Sequence, residues 1–173
     1  LEKEASPMKK NAIFLLAAVT LLPLLGACGA GETAVPKPPA LVVAAGDETQ
    51  QALLGTYNWR RLHLGGMEEV CADSPHPLDC QDLLPLLDAR QTTVQLQFAK
   101  PPDAPLSVRC WSDQQWGNPL ADSQEVTITG DTLSLRPGGW IYEVTARWGG
   151  GWGPGGEAHY AFYAMGPDSP AQS

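Results

Sequence analysis

Gly139-Trp140-Ile141-Tyr142-Glu143-Val144-Thr145-Ala146-Arg147-Trp148 is the stretch that decides the fold. Trp140, Tyr142, Val144, Ala146 and Trp148 fall at every second position. Successive side chains of an extended chain point to opposite faces, so these five form one apolar face of a strand rather than one side of a helix. Working outward, the same period recurs: Val94, Leu96 and Phe98 alternate with Gln95 and Gln97, and Leu106, Val108 and Cys110 with Ser107 and Arg109. Val126 and Ile128 are expected to pair with Leu133 and Leu135 across Gly130-Asp131, and residues 159–165 close the series. Short strands at this spacing, punctuated by Pro and Gly, predict an all-β antiparallel sandwich of about seven strands.

Strand order sharpens the expectation. With 94–98 as strand B and 106–111 as strand C, residues 139–148 fall where strand F of an immunoglobulin-like sandwich lies. Tyr142 then stands two residues before Val144, the spacing of the corner tyrosine that precedes the core position of strand F. In that topology the loop 100–105 and the glycine-rich loop 149–156 share one end, while Trp116 and the turn Pro137-Gly138-Gly139 lie at the other. Only one stretch has a helical period: Cys80, Leu83, Leu84 and Leu87, after Pro77 and Asp79 and interrupted by Pro85. It predicts a short helical insertion capping the sandwich.

The beginning of the chain reads as an address. Met8, Lys9, Lys10 and Asn11 form a basic start, residues 12–25 a short apolar core, and Leu25-Gly26-Ala27-Cys28 a small-residue cut ending in Cys. The order resembles a bacterial lipoprotein signal peptide. That resemblance implies cleavage before Cys28, a thioether-linked diacylglycerol on its sulfur with fatty chains such as palmitate, and an extracytoplasmic protein anchored to the cell membrane. Two acyl chains make such attachment stable where one leaves it marginal. The expected organisation is upstream residues 1–7, signal peptide 8–27, lipidated Cys and flexible spacer 28–50, sandwich 51–166, and a disordered tail 167–173. Pro36-Lys37-Pro38-Pro39 stiffens the spacer; Leu41-Val42-Val43 reads alternatively as a first strand.

The chain carries a formal net charge of −8. The segment before Cys28 holds three of the 11 basic residues and two of the 19 acidic ones, so what remains is more acidic still. This balance argues against nucleic acid and against anionic lipid headgroups as partners, since both are repelled over a Debye length of about 8 Å at physiological salt, and it is expected to keep a tethered domain off the membrane.

Three cysteines remain beside Cys28: Cys71, Cys80 and Cys110. A Cys71–Cys80 bridge would close a loop of roughly 10 residues and a Cys71–Cys110 bridge one of roughly 40, worth about 2.7 and 3.9 kcal/mol in chain entropy, a difference too small to choose between them. Zinc calls for about four Cys or His ligands at short spacing, and Cys71, His76 and Cys80 supply three. His63, His76 and His159 lie on separate segments with no serine in a nucleophile elbow. Glu68, Glu69, Asp73 and Asp79 flank His76 without a spacing that fixes a carboxylate pair, and no EF-hand ladder is present. Neither catalytic residues nor a metal or other cofactor is expected. Of the six tryptophans, Trp59, Trp140 and Trp148 are expected in the core. Trp111, turned outward beside Cys110, Trp116 before Gly117-Asn118-Pro119, and Trp152 at a loop tip are the binding candidates, since exposed aromatics stack on sugars or anchor a partner.

The pieces Gly55-Thr56-Tyr57-Asn58-Trp59, His76-Pro77-Leu78-Asp79, Ser107-Val108-Arg109-Cys110-Trp111, residues 141–148 and residues 156–163 resemble an uncharacterised extracytoplasmic domain. That domain is found in small lipoproteins of Gram-positive bacteria and appended to metallopeptidase-type antibiotic sensor proteins. The resemblance implies a Cys71–Cys110 bridge and carries no assigned activity; Cys80 and the Trp-bearing glycine loop depart from it. The expected function is a non-catalytic, membrane-anchored binding or sensing module for an envelope protein, peptide or glycan. The alternative is a carbohydrate- or peptidoglycan-binding module working through exposed Trp.

Overall fold

The computed structural model describes residues 37–149 and 153–167; Cys28 and Trp152 lie outside them. Two antiparallel sheets face each other. The smaller has the order β2-β1-β6-β10-β9, built from β1 (Leu41–Ala45), β2 (Glu48–Gln51), β6 (Thr93–Phe98), β9 (Ile128–Thr129) and β10 (Thr132–Ser134). The larger has the order β4-β3-β12-β11-β7-β8, from β3 (Leu53–His63), β4 (Gly66–Ala72), β7 (Ser107–Ser112), β8 (Gln124–Val126), β11 (Gly138–Trp148) and β12 (Gly155–Gly166). Read as immunoglobulin strands, β1, β6, β10 and β9 are A, B, E and D, and β7, β11 and β12 are C, F and G, with β8 as C′. The deciding stretch is therefore strand F, at the centre of the larger sheet, with Val144 opposite Val108 on one side and Tyr160 on the other.

Its alternation makes the core. Tyr142, Val144, Ala146 and Trp148 are buried between the sheets with Val94, Leu96, Val108, Cys110, Tyr160 and Phe162. Trp59 and Trp140 pack partly buried at the margin. The Tyr142 hydroxyl accepts the Arg136 backbone N–H at 2.8 Å, the upstream corner contact that its position in strand F predicts. Burial pushes its phenol up to about 12. The loop 100–105 and the start of the glycine loop meet at one end as expected: Trp148 Nε1 donates to Lys100 O at 2.9 Å, and Asp103 Oδ2 accepts Gly149 N–H at 2.7 Å.

Four features depart from the sequence reading. Among the described residues the sandwich has 12 strands rather than about seven, because the chain between A and B adds β2, the β3–β4 hairpin and β5 (Leu86–Asp88). The domain begins earlier than residue 51: β1 and β2 occupy positions assigned to the spacer, so Leu41-Val42-Val43 is indeed a first strand. Val126 pairs with Val108 in the larger sheet, and Ile128 with Leu133 in the smaller, so the chain changes sheet at Thr127. Finally, the helical period around Cys80 yields no regular helix but a 3₁₀ turn at Pro77–Asp79, followed by a single turn in which Leu83 and Leu84 N–H donate to Cys80 O. Pro85 ends that second turn, and β5 then runs parallel to β12, with Leu87 opposite Ala164. Pro has no N–H and disfavours helical geometry in the residue before it.

Residues 78–84 nevertheless cap the sandwich. Leu78, Cys80 and Leu84 bury a second apolar cluster, Trp111, Ile141 and Ala161, on the outer face of the larger sheet. Among the described residues no helix is long and apolar enough to cross a membrane.

Candidate functional site

Beyond that capped apolar cluster, the outer face of strands C, F and G turns polar. Strand alternation points Arg109, Glu143 and His159 outward on three neighbouring strands, and Glu143 lies directly opposite Arg109 in register. The Glu143 side chain is 7 % exposed and accepts from Arg109 Nε, with His159 Nδ1 at 3.8 Å. His159 Nδ1 also lies 3.2 Å from Thr145 Oγ1, and Nε2 is 3.2 Å from Glu157 Oε1. Glu157 in turn accepts from Arg147 Nε. Burial by itself would raise Glu143, but His159 and Arg109 outweigh it and hold the carboxyl below its usual range. Glu143 raises His159 above its ordinary value against the opposing effect of burial, and Glu157 adds to the rise.

A bulge opens this face into a cleft. Ala158 pairs with Tyr57 but Tyr160 with Leu54, so Gly55 and Thr56 together oppose the single residue His159. The extra residue keeps both Leu54 and Tyr57 packed against the core and bends β3 at the site. Thr56 Oγ1 accepts Ser74 N–H at 3.2 Å, which ties the covering segment to the bulge. Between them lies a cavity of about 320 Å³, with Arg109, Glu143 and His159 on the sheet side and Ser74, His76 and Cys80 on the segment side.

His76 holds that wall. Its Nδ1 accepts Leu78 N–H at 3.2 Å, capping the 3₁₀ turn, and its ring stands edge-on to Trp111 at 4.9 Å. Burial lowers its pKa, which favours the neutral ring. Cys80 Sγ contacts Pro75 O at 3.8 Å, and burial pushes its thiol up, away from the reactive thiolate.

The residues singled out by sequence fare differently. Trp111 does turn away from the inter-sheet core, yet it is 2 % exposed, buried under the segment that carries Leu78, and donates from Nε1 to Ala121 O at 3.2 Å. It is therefore no surface for sugar stacking. Trp116 is half-buried, edge-on to Tyr163 at 5.6 Å. Cys71, Cys80 and Cys110 are all free thiols, which corrects the expected disulfide. Cys71 sits on β4 and Cys110 on β7, four strand steps apart at about 4.8 Å each. Cys80 and Cys110 lie on opposite faces of the larger sheet. Both geometries are beyond the roughly 7 Å Cα limit or the facing Cβ vectors a bridge needs. Glu68 pairs with Arg61 at 2.7 Å, and Glu69 accepts from Asn58 at 2.6 Å, so neither converges on His76. Among the described residues no group of three or more Cys, His, Asp or Glu is gathered as a metal-ligand set.

The network predicts a pH signature. His159 is raised above 6.5, so its contribution to stability is full below about pH 6.5 and is lost as pH rises through the raised value. Glu143 is depressed below 4.5, so its contribution fades only as pH falls beneath that. Unfolding across pH should show wild type exceeding His159→Gln most between about 4.5 and 6.5, the gap narrowing above neutrality. His76, present in both proteins, cancels from the difference. A gap that widens with pH would contradict this assignment.

Compared with family models, curated proteins and solved structures, the chain shows no match.

Proposed function

We propose that the protein is a lipoprotein held at the outside of the cell membrane through Cys28. In this reading its sandwich is a non-catalytic binding or sensing module that takes a peptide-like ligand of the envelope in the cleft beside Glu143. The carrying observation is the cleft floor, where Arg109, Glu143 and His159 alternate cation and anion across three adjacent strands. A purely anionic ligand meets Glu143, Glu157 and the overall negative charge; a purely cationic one meets Arg109, Arg147 and His159. A peptide, which presents amide donors and carbonyl acceptors together, matches both. The charged groups are paired with one another, and the Cys80 thiol is disfavoured as a nucleophile, which supports recognition over turnover. The order of basic, apolar and small residues before Cys28 supports the anchor.

Titration of isotope-labelled protein with short peptides, muropeptides and peptide-free glycan strands tests the reading. Peptide-bearing ligands are expected to shift the resonances of Gly55, Arg109, Glu143 and His159 saturably, with Arg109→Ala abolishing the response. Shifts centred on Trp116 with glycan alone would favour the carbohydrate reading, and product formation would overturn the non-catalytic one.

A further inference from the structure

The β3–β4 hairpin projects past the sheet and ends in an apolar tip. His63 pairs with Gly66, which leaves Leu64 and Gly65 as a two-residue turn with φ of 47° and 80°. Positive φ at both positions is the signature of the turn that normally takes Asn-Gly or Gly-Gly. A leucine there is strained, because its Cβ crowds the backbone. Leu64 is 95 % exposed, and the cross-strand neighbours Leu62 and Met67 are exposed beside it. Folding alone gives no reason for leucine at that position.

The tip's place in the molecule says what it meets. Arg60 pairs with Gly155, so the tip extends beyond the end of the sandwich that carries the loop 100–105 and the start of the glycine loop. The chain from the anchor enters at that same end: Tyr160 Oη donates to Pro39 O at 2.6 Å, and Ala99 N–H to Ala40 O at 3.0 Å. Only eight residues lie between Cys28 and Lys37, a span of at most about 30 Å. Arg60 and Arg61 offset Glu68 and Glu69, so the hairpin end is locally neutral on a chain of net charge −8 and is not repelled by anionic headgroups.

We infer that the tip formed by Leu62, Leu64 and Met67 seats in the headgroup–acyl boundary of the bilayer that holds Cys28. The contact fixes which end of the sandwich faces the membrane and leaves the cleft beside Glu143 on its flank. This inference rests on the anchor reading of Cys28.

The test uses the full lipidated chain in phosphatidylglycerol–phosphatidylcholine vesicles, with Cys71→Ser to remove the exposed thiol. An environment-sensitive dye is placed at Leu64→Cys, or at Leu120→Cys on the opposite end, where Leu120 is 91 % exposed. The dye at 64 is expected to shift to the blue and to be quenched several-fold more by lipid-borne quencher than the dye at 120. A dye at Met67→Cys should lose that quenching on Leu64→Asn, while thermal stability stays level or rises because Asn suits the turn. Equal, water-like emission at 64 and 120 in protein that floats with vesicles would overturn the tip contact alone. Protein that does not float would overturn the anchor and the tip contact together. Shielding of position 64 in native membranes but not in protein-free vesicles would also overturn the lipid contact, in favour of a protein.

Discussion

Trp148→Ala is expected to lower the stability of the domain by about 3–5 kcal/mol, the range for deleting a buried large aromatic. Trp148 closes strand F with 2 % of its surface exposed. Trp59 and Phe98 stand edge-on to it at 5.4 Å each, and Tyr160 at 6.4 Å. Its Nε1 also donates to Lys100 O, so truncation leaves a cavity between the sheets and an unpaired carbonyl in the loop 100–105. Against a typical total of about 5–15 kcal/mol, such a loss brings the domain near its threshold. Urea unfolding followed by tryptophan fluorescence measures it; a loss under about 1 kcal/mol would mean that this end of the core is not packed as described.

The second large effect is expected at the ion pair. Arg109→Ala leaves the Glu143 carboxylate buried with His159 as its remaining charged partner, and should cost about 2–3 kcal/mol. That is less than the 3–5 kcal/mol for breaking a wholly buried pair, because Arg109 is 45 % exposed and solvent screens its half of the interaction. The Glu143 carboxyl should rise, since burial then meets less opposition. Adding Glu143→Gln to Arg109→Ala should recover most of the loss, since the buried charge disappears with its partner. A double-mutant cycle in denaturant, with carbon-detected titration of Glu143, reads both quantities. Strictly additive losses would show that the two residues are not coupled.

The core of the fold was legible because burial imposes a period of two. Strands B, C, F and G each announce themselves by alternation, and Tyr142 with Val144 marks strand F. The insertion between A and B was not. β2 reads Glu48-Thr49-Gln50-Gln51, polar throughout as befits an edge, and β3 loses its parity at the bulge at Gly55 and Thr56. The Gly65-Gly66 pair was the available signal for the hairpin. Around Cys80 the three-and-four spacing did mark one buried face, but Pro85 limited it to a turn. The site was partly visible as well. Arg109, Glu143 and His159 occupy the outward positions of C, F and G, and the topology alone sets them side by side. What sequence did not show is the segment laid over Trp111, which buries the supposed binding aromatic and makes a cleft of an otherwise open sheet.

In antibody domains a covalent bridge joins the two layers through strands B and F. Here those layers meet through Val94, Tyr142, Val144 and Trp148, and the nearby Cys110 is a small buried apolar group. Cohesion of the sandwich is thus indifferent to redox state. With Cys71, Cys80 and Cys110 all present as thiols, a reducing medium takes nothing from that packing.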